Sequence, residues 1–106
     1  MPFLFAVSFA KCQLNLSSFY KVNLKKTTFT NCELKEVDFT SANLAEAYLA
    51  ECDCQLAVFD DTNLEKANLT TAYHYQIDPN KNKIKKAKFS LEGLAGLLLH
   101  HQIIIQ

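Results

Sequence analysis

An all-β solenoid of stacked twenty-residue coils is the fold that this 106-residue sequence predicts. Three observations carry the prediction. Large apolar residues recur every five positions from Leu4 to His74, a small residue precedes each by two, and like residues recur at a spacing of twenty. Five is neither the 3.6-residue period of a helix nor the 2-residue period of a strand. Repetition this regular outranks local propensity in deciding the fold.

The large positions read Leu4, Phe9, Leu14, Phe19, Leu24, Phe29, Leu34, Phe39, Leu44, Leu49, Cys54, Phe59, Leu64, Leu69 and His74, so thirteen of fifteen are Leu or Phe. The residues two places earlier are small in every pentad after Pro2, from Val7 and Cys12 through Thr62 and Ala67 to Ala72. Two inward side chains flanking one outward residue is strand alternation. The other two residues of each pentad must turn a corner, or the next pair would face out. Four such sides close a square, which gives the coil of twenty. The columns agree: Leu4, Leu24, Leu44 and Leu64 align, as do Phe19, Phe39 and Phe59, and Cys12, Cys32 and Cys52. Coils stacked about 4.8 Å apart leave a narrow bore in which one large and one small residue fill each side. Such a stack is held by nearest-neighbour contacts, so its ends need covering.

The units "VDFTS", "ANLAE", "TNLEK" and "ANLTT" resemble the A(D/N)LXX unit of the pentapeptide repeat proteins. The resemblance covers residues 2–76 and implies a right-handed quadrilateral β-helix of under four coils. "YHYQI" marks the end of the pattern, with His74 expected as a buried neutral histidine closing the Cys54 column.

Residues 77–106 are expected to form a second element. Asp78-Pro79 and the Asn/Lys cluster after it signal a turn. Ile84 and Phe89 are again five apart with Ala87 in the small slot, so a last partial coil is expected. Ser90 has the character of an N-cap for a short helix over "LEGLAGLLL", weakened by Gly93 and Gly96 at about 1 kcal/mol each. "HQIIIQ" is β-branched and predicts a terminal strand. A tail this apolar either caps the solenoid or packs on another chain. Leu91, Leu94, Leu97, Leu98, Ile103 and Ile105 are the candidate dimer interface. The "IDP" and "KKAKFSL" segments resemble the tail of the Qnr-like bacterial group, which includes quinolone-resistance factors. That resemblance implies a homodimer joined at the C-terminal ends. At the other end the repeats begin at residue 2, so either a partner covers the first coil or the chain is part of something larger.

Charge and composition exclude several function classes. Formal net charge is zero, with +4 over residues 1–31, −8 over 32–80 and +4 over 81–106, a polarised surface rather than a charged tail. No direct nucleic-acid or membrane partner is expected. "MPFLFAVSFA" lacks the basic start of a signal peptide, and "LAGLLLHHQIII" is too short to span a bilayer. The expectation is a cytoplasmic protein. No catalytic residue is assigned, because no nucleophile with its base, phosphate loop or carboxylate pair stands out. No metal or cofactor is expected either, since cysteine serves as a small apolar filler in a tight bore and a single column does not converge four ligands.

The outward columns are more informative. Asn23, Asn43 and Asn63 form a ladder, and Lys26, Glu46 and Lys66 alternate in sign along one corner. Glu33, Glu36, Asp38, Asp53, Asp60 and Asp61 make a candidate acidic strip. The sequence thus predicts a non-enzymatic module that binds an unidentified protein partner or acts as a scaffold, self-associating through a solenoid end. The alternative, implied by the Qnr-like resemblance, is a DNA-mimicking regulator of type II topoisomerase, with DNA gyrase as partner.

Overall fold

The computed structural model of the chain describes residues 8–94 and Leu97. Five short strands, β1 (Ser8–Ala10), β2 (Thr28–Thr30), β3 (Tyr48–Ala50), β4 (Asn68–Leu69) and β5 (Lys88–Phe89), form one parallel sheet in sequence order. Its register is Ser8 to Thr28 to Tyr48 to Asn68 to Lys88, a step of twenty each time. Three more sides are ladders of single parallel bridges with the same step: Gln13–Glu33–Asp53–Tyr73, Ser18–Asp38–Val58 and Asn23–Asn43–Asn63–Lys83. The strand side and these three ladders, here sides A, B, C and D in chain order, close a quadrilateral β-helix.

The corners explain the two polar residues of each pentad. Among the described residues fourteen non-glycine residues have positive φ, and thirteen of them occupy the position two after a large residue, from Lys11 (φ 54°) to Lys86 (φ 60°). Each costs roughly 1–2 kcal/mol of backbone strain for an L-residue. Hydrogen bonds across the bend offset that cost, as when Ser17 N–H donates to Leu14 O (3.0 Å) and Val22 N–H to Phe19 O (2.9 Å). The Asn ladder acts locally as well as along the stack. Asn23, Asn43 and Asn63 each accept, through Oδ1, the N–H two residues on, all at 3.0 Å. Asp38 and Asn68 do the same for Thr40 and Thr70. These Asx turns are the reason that Asn or Asp precedes the large residue so often.

Inside, Phe29, Leu34, Phe39, Leu44, Leu49, Leu64 and Leu69 are fully buried. Rings stack along the axis, Phe19 on Phe39 at 5.6 Å and Phe39 on Phe59 at 5.2 Å, with 10° and 16° between planes. Across the bore, Phe29 meets Phe39 edge-on at 6.4 Å and 80°. The small slot also stitches coils. Thr62 Oγ1 donates to Phe39 O at 2.8 Å, and the Cys32 and Cys52 thiols donate to Phe9 O and Phe29 O, each at 3.4 Å.

The repeat pattern breaks within "YHYQI", and His74, expected in the core, is not there. It takes the corner conformation (φ 63°) with its side chain 60% exposed, while Tyr75 and Ile77 turn inward. Thr71 is the cause. It is the one β-branched residue at a corner position of the repeat, where positive φ is an outlier for such side chains, and it does not adopt it. Its hydroxyl instead accepts Glu51 N–H at 3.0 Å, taking the part that a backbone carbonyl plays elsewhere. A turn at Asp78, closed by Lys81 N–H to Asp78 O (3.1 Å), returns the chain to step. Asn63 then bridges Lys83, and Ile84 and Phe89 pack on the core as the expected partial coil.

Of the helix expected over residues 91–99, the described residues show a 3-10 turn, Glu92–Leu94, and Leu97 in α-helical conformation. Ser90 does cap it, its Oγ accepting Gly93 N–H at 2.9 Å. Gly93 is required by packing, because a Cβ there would collide with the Tyr75 ring and hydroxyl. The expected strand "HQIIIQ" lies outside the described residues.

Candidate interaction surfaces

The acidic residues predicted from sequence fall into two groups. On side B, Glu33 and Asp53 are ladder neighbours, but Lys35 Nζ stands 3.9 Å from Glu33 and 3.8 Å from Asp53. His74 Nδ1 lies 2.9 Å from Asp53 Oδ1, and Asn15 Nδ2 donates to Glu33 at 3.2 Å. This half of the strip is screened by its own neighbours. The second group brackets side C: Glu36 at one corner, Asp38 on the face, Asp60 and Asp61 at the other corner. None of the four has a cation partner among the described residues. Asp38 is held below the usual carboxylate range by the Thr40 side chain and by the Thr40 N–H, 2.9 Å away. Asp61 accepts the Ser41 hydroxyl at 3.1 Å. Asp38 is the one carboxylate of the ladder Ser18–Asp38–Val58, and Glu36, Asp60 and Asp61 flank it at the corners.

Lysines collect on the adjoining side D and on its far corner. Lys25, Lys66, Lys85 and Lys86 line a groove of about 420 Å³ with Asn43, Asn63, Glu46 and Glu65. The corner column alternates as the sequence predicts, but the ion pair along it is Lys25 with Glu46, at 4.0 Å. Lys66, Lys81, Lys83, Lys85, Lys86 and Lys88 are exposed and have no carboxylate partner among the described residues. Residues 95–106 carry no Asp or Glu side chain that might supply one. Because Asn43 and Asn63 spend Oδ1 on their own backbone, their Nδ2 groups remain as donors toward this groove.

At the C-terminal end a cleft of about 510 Å³ is lined by Leu56, Tyr73, His74, Tyr75, Glu92 and Gly93, among others. Its rim is apolar: Leu56 is 66% exposed and Tyr73 46%, and Leu91 close by reaches 85%. Of the predicted interface residues, Leu91 and Leu94 are exposed, whereas Leu97 is 6% exposed and packs in the core of its own chain. Leu98, Ile103 and Ile105 lie outside the described residues. Sequence reasoning missed Leu56 and Tyr73. Leu56 was detectable, since Leu at a corner is forced outward by the same backbone that places Lys or Glu there. Tyr75 Oη is buried without a partner among the described residues. Burial pushes its phenol pKa up, and the nearby Ser90 hydroxyl opposes the shift.

Cys52 and Cys54 are poor nucleophiles. Burial pushes the Cys52 thiol up to about 11 and the Cys54 thiol further still. Among the described residues no group of three or more His, Cys, Asp or Glu converges as a metal site. No helix among them is long and apolar enough to cross a membrane.

Comparison with known proteins fits this geometry. The family model described as "Pentapeptide repeat region" matches residues 3–89. No curated protein matches the chain by sequence. Among solved structures, HetL, a pentapeptide repeat protein involved in heterocyst differentiation regulation in the cyanobacterium Nostoc sp. strain PCC 7120, superposes with a TM-score of 0.64 at 19% identity. That match covers 76% of this chain and 39% of HetL, so the chain spans about two fifths of that relative. A pentapeptide repeat protein of the Arabidopsis thaliana thylakoid lumen matches at 23% identity over 76% of this chain and 60% of its own, TM-score 0.35. Full-length QnrB1, a plasmid-mediated fluoroquinolone resistance protein, matches at 14% identity over 90% and 68%, TM-score 0.33. At these identities the likeness to HetL speaks for the fold alone, and the two lower scores carry no argument.

Proposed function

The chain belongs to the pentapeptide repeat family, and from that premise we propose that it is a non-enzymatic protein-binding or scaffold module of the cytoplasm, self-associating through the C-terminal end of its solenoid. The observation that carries this reading is the apolar rim there: Leu56 and Tyr73 line a cleft and stand in solvent, with Leu91 and Leu94 exposed beside it. Exposed apolar surface of this kind marks interaction sites. The test is light scattering on purified protein with Leu91→Asp/Leu94→Asp beside it. A wild-type dimer that survives moderate salt and a monomeric double variant support the reading; a monomeric wild type at tens of micromolar removes it.

The second reading, a DNA-mimicking regulator of DNA gyrase, is favoured by one observation, the unpaired carboxylates around side C. Lys35 and His74 weaken the same argument on side B. A supercoiling assay with gyrase and a quinolone decides it, and no effect at micromolar protein excludes it.

A further inference from the structure

The cleft at the C-terminal end holds a polar atom that the described residues leave without a partner. Tyr75 is 4% exposed, its ring packs on Phe89 at 5.7 Å between centroids, and its Oη stands against Gly93. No described residue hydrogen-bonds that oxygen. Tyr75, Ser90 and Gly93 all line the cleft, so the hydroxyl lies at its inner wall. Burying a hydroxyl unpaired is costly, and native structures supply a partner. We propose that the chain's own C-terminal segment, residues 98–106, lies in this cleft and accepts a hydrogen bond from the Tyr75 hydroxyl.

Three observations select this occupant. The first is place: Leu97 is 6% exposed and packs in the core, which fixes the start of the segment at the end where the cleft lies. The second is length. Nine residues follow Leu97, and fully extended they reach about 30 Å, enough to cross a cleft of about 510 Å³. The third is chemistry. Leu98, Leu99, Ile103, Ile104 and Ile105 are apolar, and the segment has no Asp, Glu, Lys or Arg side chain. That composition suits the apolar wall of Leu56 and Tyr73, while backbone carbonyls and the Gln102 and Gln106 side chains supply acceptors for a phenol. The tether also gives the segment an effective concentration on the order of millimolar at its own cleft. A second copy at micromolar concentration does not match that. The inference goes beyond the end-mediated association above and does not rest on it, since Leu91 and Leu94 do not line this cleft and stay open to a partner.

A nitroxide spin label on Gln106→Cys tests the contact in the full chain. Cys12→Ala accompanies it, copying Ala72 of the same column, and Cys32, Cys52 and Cys54 are buried, so the label goes to residue 106. The amide signals of Leu56, Tyr73, His74 and Gly93 are expected to broaden and to recover when the nitroxide is reduced, while those of Asn23 and Asn43 stay sharp. A mixture of spin-labelled chains without nitrogen-15 and nitrogen-15 chains without the spin label is expected to show no broadening. Broadening in the mixture assigns the cleft to the segment of a second copy, and sharp cleft amides in the first sample leave the segment elsewhere; either result overturns the proposal.

Urea denaturation gives a second reading. Tyr75→Phe is expected to lower the midpoint of the full chain more than that of a chain ending at Leu97, because only the full chain has the hydrogen bond to lose. Equal shifts in the two backgrounds overturn the assignment of the hydroxyl's partner. Both measurements report contacts within one chain, so they stand apart from whether light scattering finds a dimer.

Discussion

Phe39 is the residue whose removal tests the packed bore most severely. It is fully buried, stacked between Phe19 and Phe59 at 5.6 and 5.2 Å, and met edge-on by Phe29. Phe39→Ala removes the buried ring and leaves a cavity that the hydrogen-bonded coils above and below cannot close. Phe→Ala in a core costs about 3–5 kcal/mol, and loss of ring contacts on both axial sides places this site toward the upper end. Against the roughly 5–15 kcal/mol that holds a domain together, that is a large fraction. The assay is urea denaturation followed by far-ultraviolet circular dichroism, since the chain has no tryptophan. Val58→Ala, on the next coil but 46% exposed, is the control and is expected to change stability by under about 0.5 kcal/mol. A loss at Phe39 below about 1 kcal/mol, or equal losses at both sites, would refute the reasoning.

Further expectations concern the small slot, the thiols and the corners. Thr62→Val removes the hydroxyl that donates to Phe39 O and should cost about 1–2 kcal/mol, with Thr62→Cys recovering part of it as the Cys52 thiol does two sides earlier; urea melts distinguish the two. Cys12, partly exposed, should react with a thiol reagent in the native protein at neutral pH, while Cys52 and Cys54 react only on unfolding, as mass spectrometry will read out. Burial raises the Cys52 pKa from 9.0 to about 11, so the stability linked to its neutral thiol is intact below pH 9 and is lost as pH climbs through about 11. Cys52→Ala should flatten that alkaline limb of the pH–stability curve. Asp38 shifts the opposite way: its depressed pKa contributes stability that is present above the ordinary value of 3.8 and lost as pH falls through the folded value, so Asp38→Asn should blunt the acid limb. Thr71→Asn, which permits positive φ, should restore the corner that Thr71 refuses, with Glu51 N–H passing from the side-chain hydroxyl to a backbone carbonyl, seen as the positive-φ signature of residue 71 in its backbone coupling constants.

Most of this architecture is legible in the sequence because the constraint is geometric and repeats. A square bore admits one large and one small residue per side, so Phe19, Phe39 and Phe59 announce their own stacking. The places where reading fails are those where a single residue alters the backbone. Thr71 carried a readable signal, a β-branched side chain at a corner, yet the period of five alone assigned His74 to the core. The surfaces were less legible. Carboxylates at positions 33 and 53 look free in a linear string, but the coil brings Lys35 and His74 against them. Leu97 has the same character as Leu91 in sequence and the opposite environment in the fold.

The register of twenty is the claim beneath all of these, and nuclear Overhauser contacts between backbone protons read it directly. Strands spaced about 4.8 Å apart bring the protons of Phe39 within reach of those of Phe19 and Phe59, and those of Thr28 within reach of Ser8 and Tyr48. Cross-peaks at separations of nineteen to twenty-one residues on all four sides are the expected result. Their absence, or a consistent pattern at any other separation, would contradict the account.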